Sequence, residues 1–203
     1  MSIQIYLGEH EMAQIGTAFE SNVMYHGLIP RTPYQYVCSS QDTGNVLLAV
    51  FGKYKTYEVL LKQIGREVFE AGIMGGQIAV SETQYDLPPH LRRHSGVNFH
   101  QMDVERYRAK RPHAERVRSR LSAIQPLLDR EVEILTAPNP ERLMNEYAHK
   151  ANLNTTRVRY WFVAYICHGR NIWALMPALL NNGCWDRDDR DKRDDQDDGK
   201  ERK

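Results

Sequence analysis

The residues with the most evident chemical potential form the run Asn-Thr-Thr-Arg-Val-Arg-Tyr at positions 154–160. Guanidinium and hydroxyl groups donate hydrogen bonds to phosphate oxygens and to base edges in a DNA groove. They are best placed for this at the N-terminal end of a helix that enters the major groove. We therefore assign DNA contact to the polar and aromatic residues of the run: Asn154, Thr155, Thr156, Arg157, Arg159 and Tyr160.

The same run opens a predicted helix. Asn154 is a favourable N-cap because its side chain accepts a hydrogen bond from an amide of the first turn. Gly169 stands where a left-handed residue commonly ends a helix. Between these two positions the apolar residues recur at helical spacing, at Val158, Trp161, Phe162, Tyr165 and Ile166.

Another predicted helix precedes this one. Asn139, Pro140 and Glu141 supply a cap, a proline at the first helical position and an acid in the first turn. The helix is expected to run to about Lys150 or Ala151. Only two residues then separate it from the next cap, a short connection typical of a helix-turn-helix.

Basic residues are concentrated between Leu91 and Arg120, although the net charge of the 203-residue chain is only +1. That segment holds nine arginine and lysine residues against three acidic ones. Local positive charge drives phosphate binding, so we interpret the segment as a basic arm that follows a DNA backbone; a solvated connector is the alternative. Phosphate contact is assigned to Arg92, Arg93, Arg106, Arg108, Lys110, Arg111, Arg116 and Arg118.

The N-terminal half predicts a small mixed domain. Tyr34–Cys38 and Val46–Phe51 are β-rich runs joined by a turn-rich segment, which indicates a hairpin. Val46–Phe51 is continuously apolar, as in a strand that is covered on both faces. Thr56–Ala71 has the spacing of an amphipathic helix. Glu9–Phe19 is expected to form a short helix and Gln77–Val80 a last strand.

The predicted fold class is therefore α+β, with four segments in sequence. Residues 1–90 form the mixed domain with its hairpin and one main helix, and residues 91–112 form the basic linker. Residues 113–183 form an all-α helix-turn-helix bundle, and residues 184–203 form a charged tail that we expect to be disordered.

Composition narrows the class of protein further. Apolar residues make up 41% of the chain, and no apolar run approaches the roughly 20 residues that cross a bilayer. The first residues lack the features of a secretory signal. Three cysteines, far apart and odd in number, indicate reduced thiols. We expect a cytoplasmic protein with no membrane contact.

The segment NTTRVRYWFVAYICHGRNIWALMP resembles the helix-turn-helix of Mu/TnsB/TniA-type DDE transposases. The matching positions are Asn154, Val158, Trp161, Tyr165, Gly169 and the run from Ala174 to Pro177. Upstream, RSRLSAIQPLLD resembles the arginine-rich segment before that motif, so the resemblance covers roughly residues 104–190. The family usually has basic residues where Val163 and Ala164 stand, so either the outer face of this helix is half apolar or these two residues pack on another domain.

The resemblance implies the DNA-binding part of a transposase subunit, which recognises repeats at transposon ends. In that family a separate catalytic core uses three carboxylates and two divalent metals. That core is expected beyond this chain, so this part is expected to have no catalytic residues, metal or cofactor. Its implied partner is double-stranded DNA in the bacterial nucleoid, together with other transposition proteins and further copies of itself on DNA.

Two other functions are compatible with the residues. One is a stand-alone helix-turn-helix regulator, with residues 1–90 as a ligand or dimerisation domain and a palindromic operator. The other is a protein-interaction module that does not touch DNA, which the apolar Val163 and Ala164 would favour.

Overall fold

A five-stranded antiparallel sheet and a group of helices make up a mixed α+β structure, in a computed structural model that describes residues 13–52, 57–82, 84–98 and 112–177. The strands are β1 (Ala18–Ser21), β2 (Tyr34–Ser40), β3 (Asn45–Phe51), β4 (Val59–Gly65) and β5 (Ile78–Val80), in the order β4-β3-β2-β1-β5. The α-helices are α1 (Arg66–Met74), α2 (His113–Leu128), α3 (Glu131–Thr136), α4 (Pro140–Lys150) and α5 (Thr155–Cys167). Two 3-10 helices span Pro89–His94 and Ile172–Leu175.

The predicted hairpin is confirmed by the antiparallel pairing of β2 with β3. Strand β3 is covered on both faces, as its unbroken apolar sequence indicated. Val46 and Leu48 belong to a core that also contains Phe69 of α1. Leu47 and Ala49 point to the other side and belong to the core shared with the C-terminal helices. The sheet is therefore the middle layer of the protein.

The helix predicted over Thr56–Ala71 is wrong in its first part. Val59–Gly65 is strand β4, and the helix begins only at Arg66 and continues to Met74. All seven residues of β4 pair with β3, from Val59 opposite Phe51 to Gly65 opposite Asn45. The apolar spacing fits a strand as well as a helix, and pairing with an apolar neighbouring strand overrides the helical preference.

Two further predictions concern the segment that leads into β1 and the strand β5 that pairs with it. The short helix predicted over Glu9–Phe19 is wrong for its described part, because residues 13–17 are not helical and β1 begins at Ala18. The last predicted strand is confirmed as β5, which pairs with β1. The error over Glu9–Phe19 follows from Gly16, whose backbone is left-handed (φ +91°) and which lies against the carbonyl group of Cys167. A Cβ atom there would come within 2.1 Å of that oxygen, so glycine is required.

One large core joins the sheet to the helices. It contains residues of β2 and β3, the buried Leu87 and Leu91, and apolar residues of α2 to α5. Leu91 belongs to the predicted linker, yet it is fully buried between these elements. The core therefore draws residues from both predicted domains, and the boundary near residue 90 stays a prediction from sequence.

Two further predictions concern the state of the cysteines and contact with a membrane. Cys38 and Cys167 are buried free thiols, and burial raises the pKa of Cys38 to about 12. In the described ranges, no helix is both long and apolar enough to cross a bilayer. The predicted tail at 184–203 lies outside those ranges.

Candidate nucleic-acid interface

The turn between α4 and α5 is short and is closed by backbone hydrogen bonds. The amide of Leu153 donates to the carbonyl oxygen of Ala148 at 2.8 Å, and the amide of Asn152 donates to that of His149 at 3.1 Å. Asn152 has a left-handed backbone (φ 54°). This is the Schellman arrangement, which satisfies the last carbonyl groups of a helix and turns the chain sharply. The helix thus ends where the sequence predicted.

Both predicted N-caps are confirmed. Asn139 accepts a hydrogen bond from the amide of Arg142, and Asn154 accepts one from the amide of Arg157, each at 3.0 Å. Gly169 has the expected left-handed backbone (φ 66°) one residue after the C-cap of α5. Local sequence rules therefore place both ends of α5 correctly.

The start of α5 is the part of this helix that is open to solvent. Asn154, Thr156 and Arg157 are exposed, and Thr155 is half-buried. The first turn contains no acidic residue. Because the first amide groups of a helix carry partial positive charge, this end of α5 favours an anionic ligand.

Beyond its first turn, α5 is enclosed on both sides. The residues that it buries are Val158, Tyr160, Phe162, Val163, Ala164, Ile166 and Cys167. Val163 and Ala164 do not lie on an outer face: α5 packs against β2 and against α2 and α4, and both side chains are buried, which agrees with the alternative that they pack against another part of the protein. A helix covered in this way can offer only its N-terminal end to a groove.

Tyr160 must be removed from the predicted DNA contacts because its side chain is only 2% exposed. Its hydroxyl group lies 2.9 Å from Nδ1 of His90, and Nε2 of His90 lies 3.2 Å from the carbonyl oxygen of Met176. A carbonyl oxygen only accepts, so Nε2 carries the proton and Nδ1 accepts from Tyr160. Burial lowers the pKa of His90 and raises that of Tyr160, which keeps both groups neutral.

Arg159 is engaged inside the protein. Its Nη1 atom lies 2.8 Å from Oε2 of Glu141 at the start of α4, and its side chain is 19% exposed. This ion pair ties the second turn of α5 to the first turn of α4. The predicted role of Arg159 in reading bases therefore competes with a bond that the folded protein already contains.

Arg157 and Arg120 share one aromatic ring. The Arg157 guanidinium carbon lies 5.9 Å from the ring centroid of Tyr57, and that of Arg120 lies 5.4 Å from the same centroid. Arg120 also donates to the Tyr57 hydroxyl at 3.1 Å and to the carbonyl oxygen of Leu175 at 2.7 Å. We call Tyr57, Arg120 and Arg157 the arginine–tyrosine cluster. It joins the segment before β4 to α2 and α5 at the open end of α5.

The other predicted phosphate contacts have different environments. On α2, Arg118 is exposed and Arg116 is half-buried one helical turn before Arg120. Arg92 stacks on Tyr85, with 3.3 Å between its guanidinium carbon and the ring centroid, and burial lowers its pKa. Arg93 lies in the 3-10 helix beside it. Outside the described residues lie Arg106, Arg108, Lys110 and Arg111.

The sequence prediction omitted Tyr57, His90 and Arg120 from the site. Arg120 could have been found from the sequence, because it stands in the same arginine-rich part of α2 as Arg116 and Arg118. Tyr57 and His90 carried no usable signal, because their contacts connect segments that are far apart along the chain. Among the described residues, no three histidine, cysteine, aspartate or glutamate side chains gather as a metal site would require.

The arrangement presents positive charge, hydroxyl groups and helix amides in one place. Such a surface can hold a phosphate group and present one arginine to a base edge. No protein-family model matches the chain, and a search of curated proteins returned no match. The interpretation of this interface therefore depends on its residues and their geometry.

Proposed function

We propose that this chain binds double-stranded DNA with sequence preference, as the DNA-binding part of a Mu/TnsB/TniA-type transposase. The observation that carries the proposal is the exposed Arg157 in the first turn of α5, beside Thr156 and above the Tyr57 ring. Helix-turn-helix proteins place the N-terminal residues of their second helix against base edges. Helices α4 and α5, with their short capped turn, offer that end of α5 to a duplex.

Because the rest of α5 is enclosed, we assign sequence selectivity to its exposed start and most of the affinity to phosphate contacts elsewhere. Only Asn154 to Arg157 are available for base readout, so α5 supplies few contacts. Phosphate contacts must then provide most of the binding energy, and they come from Arg116 and Arg118 together with the basic segment at residues 91–112. The resulting complex is expected to be strongly salt-dependent.

The burial of Val163 and Ala164 bears on the alternatives. The protein-interaction hypothesis was favoured by an apolar outer face, and these side chains lie inside the protein, in contact with the main core. The exposed polar end of α5 is what the regulator and transposase hypotheses both require. They differ in the symmetry of the DNA site, which is palindromic for a dimeric regulator and a directional repeat for a transposase.

The test is selection of duplexes from a random-sequence library by the full chain, followed by affinity measurements on the selected duplex and on a scrambled version. We expect a clear preference for the selected duplex and a steep loss of affinity between about 50 and 200 mM salt. Directional repeats among the selected sequences support the transposase assignment. Equal binding to both duplexes, or no binding at low salt, contradicts the proposal.

A further inference from the structure

Tyr57 has an unusual backbone for its residue type. Its φ angle is +65°, in the left-handed region that residues with a Cβ atom rarely adopt. A bulky side chain in that region is a marked exception, whereas glycine or asparagine adopts it readily. Non-glycine residues of this kind persist where their side chain is needed, and they are concentrated at functional sites.

The side chain of Tyr57 is fixed by the large core and by Arg120. Its ring lies edge-on to that of Tyr160, with 5.3 Å between the centroids, and 6.1 Å from the ring of His90. Its hydroxyl group accepts the hydrogen bond from Arg120, which is itself bound to the carbonyl group of Leu175. The ring is therefore a rigid surface at the open end of α5.

Arg157 lies over the ring of Tyr57. Its guanidinium group is exposed, and the described residues provide it with no ion pair. Its closest defined aromatic contact is the Tyr57 ring at 5.9 Å. A planar guanidinium group stacks on an aromatic face in a way that a lysine ammonium group does not. Restricting a long side chain before binding reduces the entropy lost when it meets a base.

We infer that Tyr57 is a positioning residue for Arg157 and thereby determines sequence selectivity on DNA, an inference that rests on the proposed function. The sheet then belongs to the DNA-reading unit, because Tyr57 lies two residues before β4 and contacts Tyr160 and Arg157 of α5. This role differs from that of the basic segment, which sets affinity for all sequences alike.

The experiment compares Tyr57→Asn, Tyr57→Phe, Arg157→Ala and the double variant Tyr57→Asn/Arg157→Ala in the full chain. Each is titrated with the selected duplex and its scrambled version. Tyr57→Asn keeps the left-handed backbone and removes the ring, so the ratio of the two affinities should fall roughly tenfold, as for one lost base contact. Binding to scrambled DNA and its salt slope should not change. Tyr57→Phe keeps the ring and should retain most of the ratio.

The double variant tests whether Tyr57 acts through Arg157. Its ratio should equal that of Arg157→Ala alone, since a ring with nothing to position adds no selectivity. His26→Asn is the matched control, because His26 also has a positive φ (44°) and an aromatic contact, to Tyr25, which packs against the core that contains Phe69. This control should leave the ratio unaltered.

Arg157→Lys extends the test to a variant that leaves the core untouched. It keeps the charge but replaces the planar guanidinium group, whose carbon lies 5.9 Å from the Tyr57 ring centroid, with a compact ammonium group, so its ratio should also fall severalfold. An unchanged ratio in Arg157→Lys or Tyr57→Asn, or additive losses in the double variant, overturns the inference while the wild-type preference stands. Absence of any wild-type preference overturns the proposed function itself, and the inference with it.

Discussion

Arg159 of α5 and Glu141 at the start of α4 form an ion pair between the two helices, with 2.8 Å between Nη1 and Oε2. The arginine side chain is mostly buried, so removal of it leaves the glutamate without its partner. We expect Arg159→Ala to lower the free energy of unfolding by about 1–2 kcal/mol in urea denaturation, while the preference between selected and scrambled DNA changes little.

Arg142→Ala provides the comparison for that prediction. Arg142 pairs with Glu146 one turn along α4, but both side chains are well exposed. Solvent and salt screen an exposed pair of this kind, so this variant should be almost as stable as the wild type. If Arg159→Ala unfolds like the wild type but loses its DNA preference, Arg159 reads bases directly.

Arg157→Ala and Arg106→Ala should have different effects on DNA binding. Loss of Arg157 should cost about 1–3 kcal/mol of affinity for the selected duplex and little for scrambled DNA. Loss of Arg106 should weaken binding to both duplexes alike and reduce the salt slope by about one. Fluorescence anisotropy over a salt series measures both effects.

Arg130→Ala is the control for loss of an arginine as such, because Arg130 is exposed and pairs with Glu133 at the start of α3. It should change neither the preference nor the salt slope. Identical behaviour of the Arg157 and Arg106 variants would contradict the separation of a reading helix from a positioning arm.

The parts of this fold that the sequence predicted are governed by local rules. Asn139 and Asn154 each accept the amide hydrogen bond expected of an N-cap, and Gly169 has the left-handed backbone expected after a helix. Each of these features involves residues within a few positions of one another. The continuously apolar run Val46–Phe51 also identified β3 as a strand covered on both faces.

The parts that the sequence did not predict depend on contacts between distant segments. Apolar spacing over Val59–Gly65 fits either a helix or a strand, and only the pairing with β3 decides between them. Tyr160 is polar enough to lie on a reading face, but β3 and the segment around His90 enclose it. For Val163 and Ala164 the sequence left both an outer face and an interior contact open, because the position of the sheet against α5 is not encoded locally.

Asn154→Ala tests the cap that presents Arg157. Its side-chain oxygen accepts the amide hydrogen bond of Arg157, so its removal frees that amide and loosens the first turn of α5. We expect a loss of about 1 kcal/mol in the free energy of unfolding, together with a weaker preference for the selected duplex. Asn154→Asp retains an accepting oxygen and should keep the stability. If Asn154→Ala and Asn154→Asp lose the same free energy of unfolding, Asn154 does not act as a cap.

His168 at the end of α5 should make the free energy of unfolding depend on pH in the acidic range. Its Nδ1 atom lies 2.8 Å from the carbonyl oxygen of Ala164, so Nδ1 carries the proton, and Nε2 faces the amide of Gln35 at 3.4 Å. Burial lowers the pKa of His168 from 6.5 to about 4. Below about pH 6.5 His168 binds a proton in the unfolded chain, whereas in the folded protein it stays neutral until the pH approaches 4. The free energy of unfolding should therefore fall as the pH falls from 6.5 to 4, by about 3 kcal/mol in total.

Urea denaturation at a series of pH values measures this dependence in the wild type and in His168→Gln. The variant loses the buried imidazole contacts, including the ring of Phe51 at 5.2 Å, and should be less stable at pH 7. It should nevertheless show a flatter decline between pH 6.5 and 4, because no proton uptake at this position favours unfolding. Burial also lowers the pKa of His90, so some decline with the same sign should persist. An undiminished acid slope in His168→Gln would assign the dependence to other groups.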